Sequence, residues 1–159
     1  MENMENMENM DNNMENMDNN MENGEQLLEI IDNKKFEVLH TKNTKTINTI
    51  KNNMLQKLQL TAVELKIFHK KLKEYQYVDE LPDIHVGHYV RWISLTTPVS
   101  KLTNGGIVVE TNINESGIYM LVKNNIGRIF MVYIDKVLLF QKITVDEQII
   151  INIMDYLET

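Results

Sequence analysis

Two histidines, His85 and His88, come closer than any other pair in this sequence to a set of metal ligands. Metal sites in proteins add further His, Cys, Asp or Glu side chains at defined spacings. Here Asp83 is the only acid within reach along the sequence. On an extended strand the two imidazoles would also point to opposite faces. We therefore predict no metal and no other cofactor.

The other reactive residue types form no recognisable catalytic pattern. The chain has no cysteine, which excludes a disulfide framework, a thiolate metal site and a cysteine nucleophile. It shows no Ser-His-Asp order, no nucleophile elbow, no phosphate-binding loop and no pair of carboxylates at catalytic spacing. We predict that the protein is not an enzyme.

Lysines dominate the middle of the chain, where residues 34–73 contain ten lysines and two acids. Such a run either binds an anionic partner or forms a solvated helix face. The part after residue 76 has six basic and ten acidic residues, a charge that does not favour nucleic-acid binding there. If DNA or RNA binds, we expect it to contact a cluster of four lysines: Lys66, Lys70, Lys71 and Lys73.

Residues 1–24 are an imperfect Met-Glu-Asn repeat with seven acids and no base. Asparagine forms helices poorly and the acids repel one another, so we predict a disordered tail. Two alternatives are that its regularly spaced methionines fold onto the groove of a partner, and that its charge covers the basic middle of the chain. The repeat lacks the basic and apolar regions of a signal peptide, so we expect a protein that is not secreted.

The segment 25–80 is predicted to be helical, because it contains neither proline nor glycine. A short helix is expected at 25–32. A heptad pattern from Ile47 to Tyr75 is typical of a coiled coil, whereas the capping-box spacing of Thr61 and Glu64 favours a break.

Two arrangements of the heptad segment are open: one continuous oligomerising helix, and a hairpin of helices at about 46–59 and 62–76. The hairpin is slightly favoured, because Lys51 and Thr61 occupy positions of the heptad seam and weaken it. In a homo-oligomer we expect the apolar residues of the heptad pattern to form the contact between copies of the chain. These are Met54, Leu58, Leu65, Phe68 and Leu72.

Beyond Pro82, apolar residues alternate with a period of two, which predicts strands. Turn signals separate five of them, at 87–95, 107–111, 118–123, 128–134 and 137–142. Short strands at close intervals are typical of a small antiparallel barrel of SH3-like or OB-like shape.

A second capping box, Thr144 to Glu147, predicts a C-terminal helix. We expect its apolar stripe to cover the mouth of the barrel or to pack on the upstream helices. The stripe consists of Ile149, Ile150, Ile153, Met154 and Leu157. The predicted fold is therefore α+β: a disordered tail (1–24), a Lys-rich helical segment (25–80), and a five-stranded SH3-like barrel closed by a helix (81–159).

Four segments, GHYVRWISL, KLTNGGIVVE, GIYMLVKNN and GRIFMVYIDKVLLFQK, carry a family resemblance within residues 86–142. Their Gly-x-Tyr-Val-Arg strand, Gly-Gly strand start and hydrophobic strand ending in Phe-x-Lys resemble small barrel proteins of nucleocytoplasmic large DNA viruses. The resemblance implies a virion-associated or virus-factory protein without known catalysis. It transfers no residue role, because none is established for such proteins.

The leading hypothesis is a non-enzymatic structural or interaction protein, with nucleic-acid association as the alternative. Its expected partners are proteins, including capsid or other virion proteins in the viral setting, and further copies of itself. The longest apolar run, 126–140, contains Arg128, Asp135 and Lys136 and is too short and too charged to insert in a membrane. We expect the protein in the virion or in the host cytoplasm, including the viral factory.

Overall fold

A computed structural model describes residues 42–159 of the chain. These residues form three α-helices and one six-stranded antiparallel sheet, and the last helix ends the chain. The fold is α+β, as the sequence predicts. The predictions for the tail at 1–24 and for the helix at 25–32 fall outside the described residues.

The helical segment contains two helices, α1 (Thr44–Gln56) and α2 (Ala62–Lys71), instead of one continuous helix. The capping box is present: the Thr61 hydroxyl accepts from the Glu64 backbone N–H at 3.3 Å, and the Glu64 carboxylate accepts from the Thr61 N–H at 2.9 Å. Gln59 lies between the helices with a φ of 53°, a left-handed conformation that no helix can continue through. Local hydrogen bonding therefore overrides the heptad pattern here.

The second helix ends five residues before the predicted boundary at residue 76, and the residues that follow form a strand, β1 (Tyr75–Val78). This strand pairs with the last strand of the sheet, from Tyr75 opposite Lys142 to Val78 opposite Leu139. Aromatic and β-branched residues fit a pleated surface, and the ladder satisfies backbone groups that a longer helix would have to satisfy within itself. The sequence did not predict this strand, because Tyr75 fits the heptad pattern of a helix.

The five predicted strands are all present, with small shifts at their ends. Their bounds are β2 (Tyr89–Ser94), β3 (Gly106–Asn114), β4 (Gly117–Lys123), β5 (Ile129–Tyr133) and β6 (Val137–Lys142). With β1, the sheet has six strands in the order β1-β6-β2-β3-β4-β5. The predicted count of five is therefore wrong. Within residues 42–159, β1 and β5 are not paired with each other, and the sheet is open.

One strand of the sheet, β6, is buried on both faces. Every residue of β6 from Val137 to Gln141 is buried, and its side chains alternate between two apolar clusters. Leu139 contributes to an inner cluster that also contains Val78 of β1 and Val132 of β5. Since those two strands lie at opposite ends of the strand order, the sheet curls around this inner cluster.

Helices α1 and α2 cover the other face of the same strands. Phe140 of β6, Leu55 of α1 and Leu72 after α2 are fully buried together in this outer cluster. The apolar seam that the heptad pattern indicated is thus the face with which the helical segment packs on its own sheet. Burial of each such side chain contributes about 1.5–3 kcal/mol.

The C-terminal helix, α3 (Val145–Leu157), begins at the predicted cap, where the Thr144 hydroxyl accepts from the Glu147 N–H at 3.2 Å. The predicted apolar stripe is covered only in part: Ile149, Ile153 and Leu157 are more than half exposed, whereas Ile150 and Met154 are partly buried. Ile151 is the buried residue of this helix instead.

A polar contact between two helix ends sets the orientation of α3. The Asp155 carboxylate accepts from the Thr44 backbone N–H at 2.8 Å, and Asn43 also hydrogen-bonds to Glu158. The first turn of α1 has no acid of its own, so Asp155 supplies the negative charge that the N-terminus of a helix favours. This contact joins the last turn of α3 to the start of α1.

A buried amide holds the connection between β1 and β2. The Gln141 side chain is 1% exposed, donates to the Asp83 carbonyl at 3.0 Å and accepts from the His85 N–H at 3.0 Å. Asp83 belongs to a 3-10 turn, Leu81–Asp83, so the side chain bridges the central strand and this loop. Both polar ends of the amide are satisfied.

We expect Gln141→Leu to lower the free energy of unfolding by about 1–3 kcal/mol, because it leaves a carbonyl and an N–H without their partner. Urea denaturation of the full-length protein measures this. Gln56→Leu, at an exposed position of α1, is the control and should change stability by less than about 0.5 kcal/mol. Equal stability of the two variants would contradict the role of Gln141.

Candidate functional site

A lysine is buried between the helices and the sheet. Lys51 of α1 is 2% exposed, and its ammonium donates to the carbonyl of Leu72 at 2.8 Å and to that of Tyr75 at 2.9 Å. These carbonyls lie at the end of α2 and at the start of β1, where the C-terminal end of a helix carries partial negative charge. These two hydrogen bonds of Lys51 therefore stabilise the turn between α2 and β1.

The charge of Lys51 has no carboxylate partner among the ion pairs between described residues. Burial lowers the pKa of this lysine, because desolvation disfavours its charged form. A buried cation that is neutralised only by carbonyl dipoles attracts an anion. The sequence signal was a lysine in the heptad seam, where seven of the nine positions from Ile47 to Tyr75 are apolar.

His69 of α2 lies beside this charge. Its Nε2 donates to the Asn52 side-chain oxygen at 3.0 Å. Burial lowers the pKa of His69 first, and the positive charge of Lys51 lowers it further. His69 therefore stays neutral to a lower pH than a histidine in water.

These two side chains line a cavity of about 410 Å³. Its walls come from α1, from α2 and the residue Lys73 after it, from Ile143 after β6, and from α3. The lining residues are Thr44, Ile47, Asn48, Lys51, His69, Lys73, Ile143, Gln148 and Ile151. None of them is an acid, and the volume lies in the range of small-molecule sites, about 300–1,000 Å³.

The four lysines predicted to contact nucleic acid, Lys66, Lys70, Lys71 and Lys73, are all exposed. Lys73 also lines the cavity, whereas the other three do not. The exposed aliphatic side chains of Val63 and Ile67 lie on the same helix. This surface of α2 is basic and partly apolar.

The predicted oligomerisation residues pack against the sheet of their own chain. Leu72 is fully buried in the outer cluster, and the other four are partly buried against it: Met54, Leu58, Leu65 and Phe68. Met54 and Leu58 also line a second cavity of about 700 Å³, with Tyr77, Leu95 and Ile134. A role of these residues in oligomerisation stays a prediction.

The two histidines examined as a metal pair do not point to opposite faces. They lie in the loop before β2, which begins only at Tyr89, and their ring centroids are 5.1 Å apart. The Glu147 carboxylate is 3.6 Å from Nδ1 of His88 and also accepts from Gln76 at 3.0 Å. Across residues 42–159, no three His, Asp or Glu side chains gather in a way that could hold a metal ion.

Sequence reasoning missed an apolar surface on the far half of the sheet. The register places Ile107 and Ile129 on either side of Lys123, and Leu121 next to Met131. Cross-strand partners share a face, so these side chains lie together on the outer face of β3, β4 and β5. We call Ile107, Leu121, Ile129 and Met131 the outer apolar patch. Ile129 is 57% and Met131 53% exposed.

No known protein family matches this chain, and no curated protein or solved structure is significantly similar to it. The resemblance to viral barrel proteins therefore stays a prediction. In the part of the chain that the structure describes, no helix has both the length and the hydropathy that crossing a membrane requires.

The environment of His69 predicts a loss of stability in mild acid. Its pKa in the folded protein lies below its ordinary value of 6.5, so the unfolded chain binds the proton more readily as the pH falls below 6.5. We expect urea denaturation to show a smaller loss between pH 7 and pH 5 for His69→Gln than for the wild type. This window lies above the titration of Glu64, whose pKa is lowered from 4.5.

His85→Gln is the matched control, because His85 is exposed. The loss of stability between pH 7 and pH 5 should be smaller in His69→Gln than in this variant. An equal loss in the two variants would show that His69 is not the group that titrates.

Proposed function

We propose that the protein is a non-enzymatic interaction protein that binds a protein partner through β5 and the outer apolar patch. Among residues 42–159, β5 ends the strand order and pairs with β4 alone, and this unpaired edge carries the proposal. The strand reads Ile-Phe-Met-Val-Tyr and contains none of the lysines or prolines with which proteins usually protect an edge. At the other end of the sheet, α1 packs against β1.

The occupant that fits this edge is an extended segment of a partner, added to the sheet as a further strand. Its main chain would hydrogen-bond to β5, and alternate side chains would contact the exposed Ile129 and Met131. Lys123 is paired with Ile129, and Arg128 precedes it, so an acidic residue near that end of the segment would be favoured. If the viral resemblance holds, the partner is a capsid or other virion protein.

We also infer an SH3-like form for the sheet. Support comes from the inner cluster, which joins the first and last strands of the order, and from the irregularity between Val108 and Glu110, which increases the local twist of β3. A curled sheet of this kind leaves one edge open for a partner.

A peptide-display selection on the full-length protein tests the interaction. We expect selected peptides to alternate apolar residues and to slow hydrogen exchange of β5 amides. Met131→Lys should weaken their binding at least about tenfold, because it places a charge in the apolar contact. Val63→Lys, a similar change on exposed α2, should not weaken it.

Two results would contradict the proposal: peptides that protect other amides, and equal binding by Met131→Lys. A dimer in analytical ultracentrifugation that Met131→Lys dissociates would show instead that a second copy of this chain occupies β5.

A second candidate function is association with nucleic acid. It is favoured by the exposure of all four predicted lysines, since lysine contacts with phosphates release counterions and drive such binding. Within residues 62–73, Glu64 is the single acid, and the capping box engages it. The surface of α2 thus keeps its positive charge.

A gel shift at low and high salt tests this function. We expect Lys66→Glu, Lys70→Glu and Lys71→Glu combined to abolish a salt-dependent shift, because the variant reverses three charges but leaves the cavity residue Lys73 in place. The combined variant Lys101→Glu and Lys136→Glu, which changes two exposed lysines outside the helices, should retain the shift. Absence of any shift of the wild type at low salt would eliminate this function.

A further inference from the structure

We propose that the cavity around Lys51, Lys73 and His69 binds a small organic anion, with a carboxylate or phosphate group on a short apolar body. This site is separate from β5, and it does not depend on the proposed interaction. Three properties of the cavity carry the inference: the character of its lining, its uncompensated charge and its size.

The polar side chains of the lining are donors or neutral groups. The Lys51 ammonium uses two of its three N–H groups on carbonyls, which leaves one for a ligand. Lys73 is exposed and takes part in none of the ion pairs between described residues. Thr44 and Gln148 already donate to Asp155 and Asn152, so the lysines are the groups that select the ligand.

The charge of the cavity is positive and partly buried. Among residues 42–159, two lysines line it and no acid does, although Asp155 is held nearby at the start of α1. An anionic oxygen close to Lys51 would compensate a charge whose hydrogen-bond partners among residues 42–159 are two carbonyls. Attraction between opposite charges is strong where water is excluded.

The apolar part of the lining defines the rest of the ligand. Ile47, Ile143 and Ile151 contribute aliphatic surface, and about 410 Å³ admits a small molecule only. A free inorganic ion would leave these isoleucines without a contact. We therefore expect a compact organic acid or phosphate monoester to bind better than phosphate alone.

Calorimetric titration of the full-length protein with benzoate, phenyl phosphate, inorganic phosphate and neutral benzamide tests the site. We expect one of the two organic anions to bind with a dissociation constant below about 1 mM, and benzamide at least about tenfold more weakly. The anion that binds more tightly shows whether the site prefers a carboxylate or a phosphate group. Binding of neither organic anion at 10 mM would overturn the proposal.

Two substitutions locate the binding. Lys51→Met and Lys73→Met should each weaken the anion at least about tenfold, whereas Lys70→Met, outside the cavity on α2, should not. Lys73 is exposed, so its variant tests the site even if Lys51→Met does not fold. Unchanged affinity in Lys73→Met would place the anion elsewhere.

His69 provides an independent signal. The positive charge of Lys51 lowers the pKa of His69. An anion in the cavity would offset that charge, so its binding should raise the pKa of His69 in an NMR titration. If Lys51 has only a structural role, the addition of benzoate or phenyl phosphate leaves the pKa of His69 unchanged. That result would overturn the proposal.

Discussion

The rest of the structure depends on the burial of β6 between two apolar layers. Its consecutive residues Val137 to Phe140 alternate between the inner and outer clusters, so one strand joins the curled sheet to the helices. Removal of either layer would expose half of this strand. The helical segment and the sheet are therefore parts of one folding unit within residues 42–159.

Two buried polar residues make this arrangement specific. Gln141 at the end of β6 fixes the loop before β2, and Lys51 of α1 fixes the turn from α2 into β1. Both bind backbone groups that lie far from them in sequence. Apolar packing alone is not directional, whereas these hydrogen bonds set the position of each connection.

The division of the sheet into a half that the helices cover and a half that they do not cover explains where the candidate binding surfaces lie. The helices cover the half of the sheet formed by β1, β6 and β2, so within residues 42–159 Ile107, Ile129 and Met131 on the outer face of the other half stay exposed and β5 pairs on one side only. The cavity lies between the three helices and Ile143 after β6, and the Lys51 ammonium beside it is held by two carbonyls. The two surfaces use different chemistry, one apolar and one cationic.

The sequence by itself determined the α+β class, the five C-terminal strands and the helix starts at Thr61 and Thr144, because period-two alternation and capping depend on neighbouring residues. It did not reveal β1, since Tyr75–Val78 becomes a strand only through its ladder with β6, some sixty residues away. In the heptad pattern, Lys51 is a charged residue at a position that a coiled coil usually fills with an apolar one. Only the tertiary structure decided that this ammonium is buried beside two carbonyls and a cavity, and that α3 buries Ile151 while three residues of its predicted apolar stripe stay exposed. Those outcomes depend on contacts between distant segments, which local pattern and propensity do not encode.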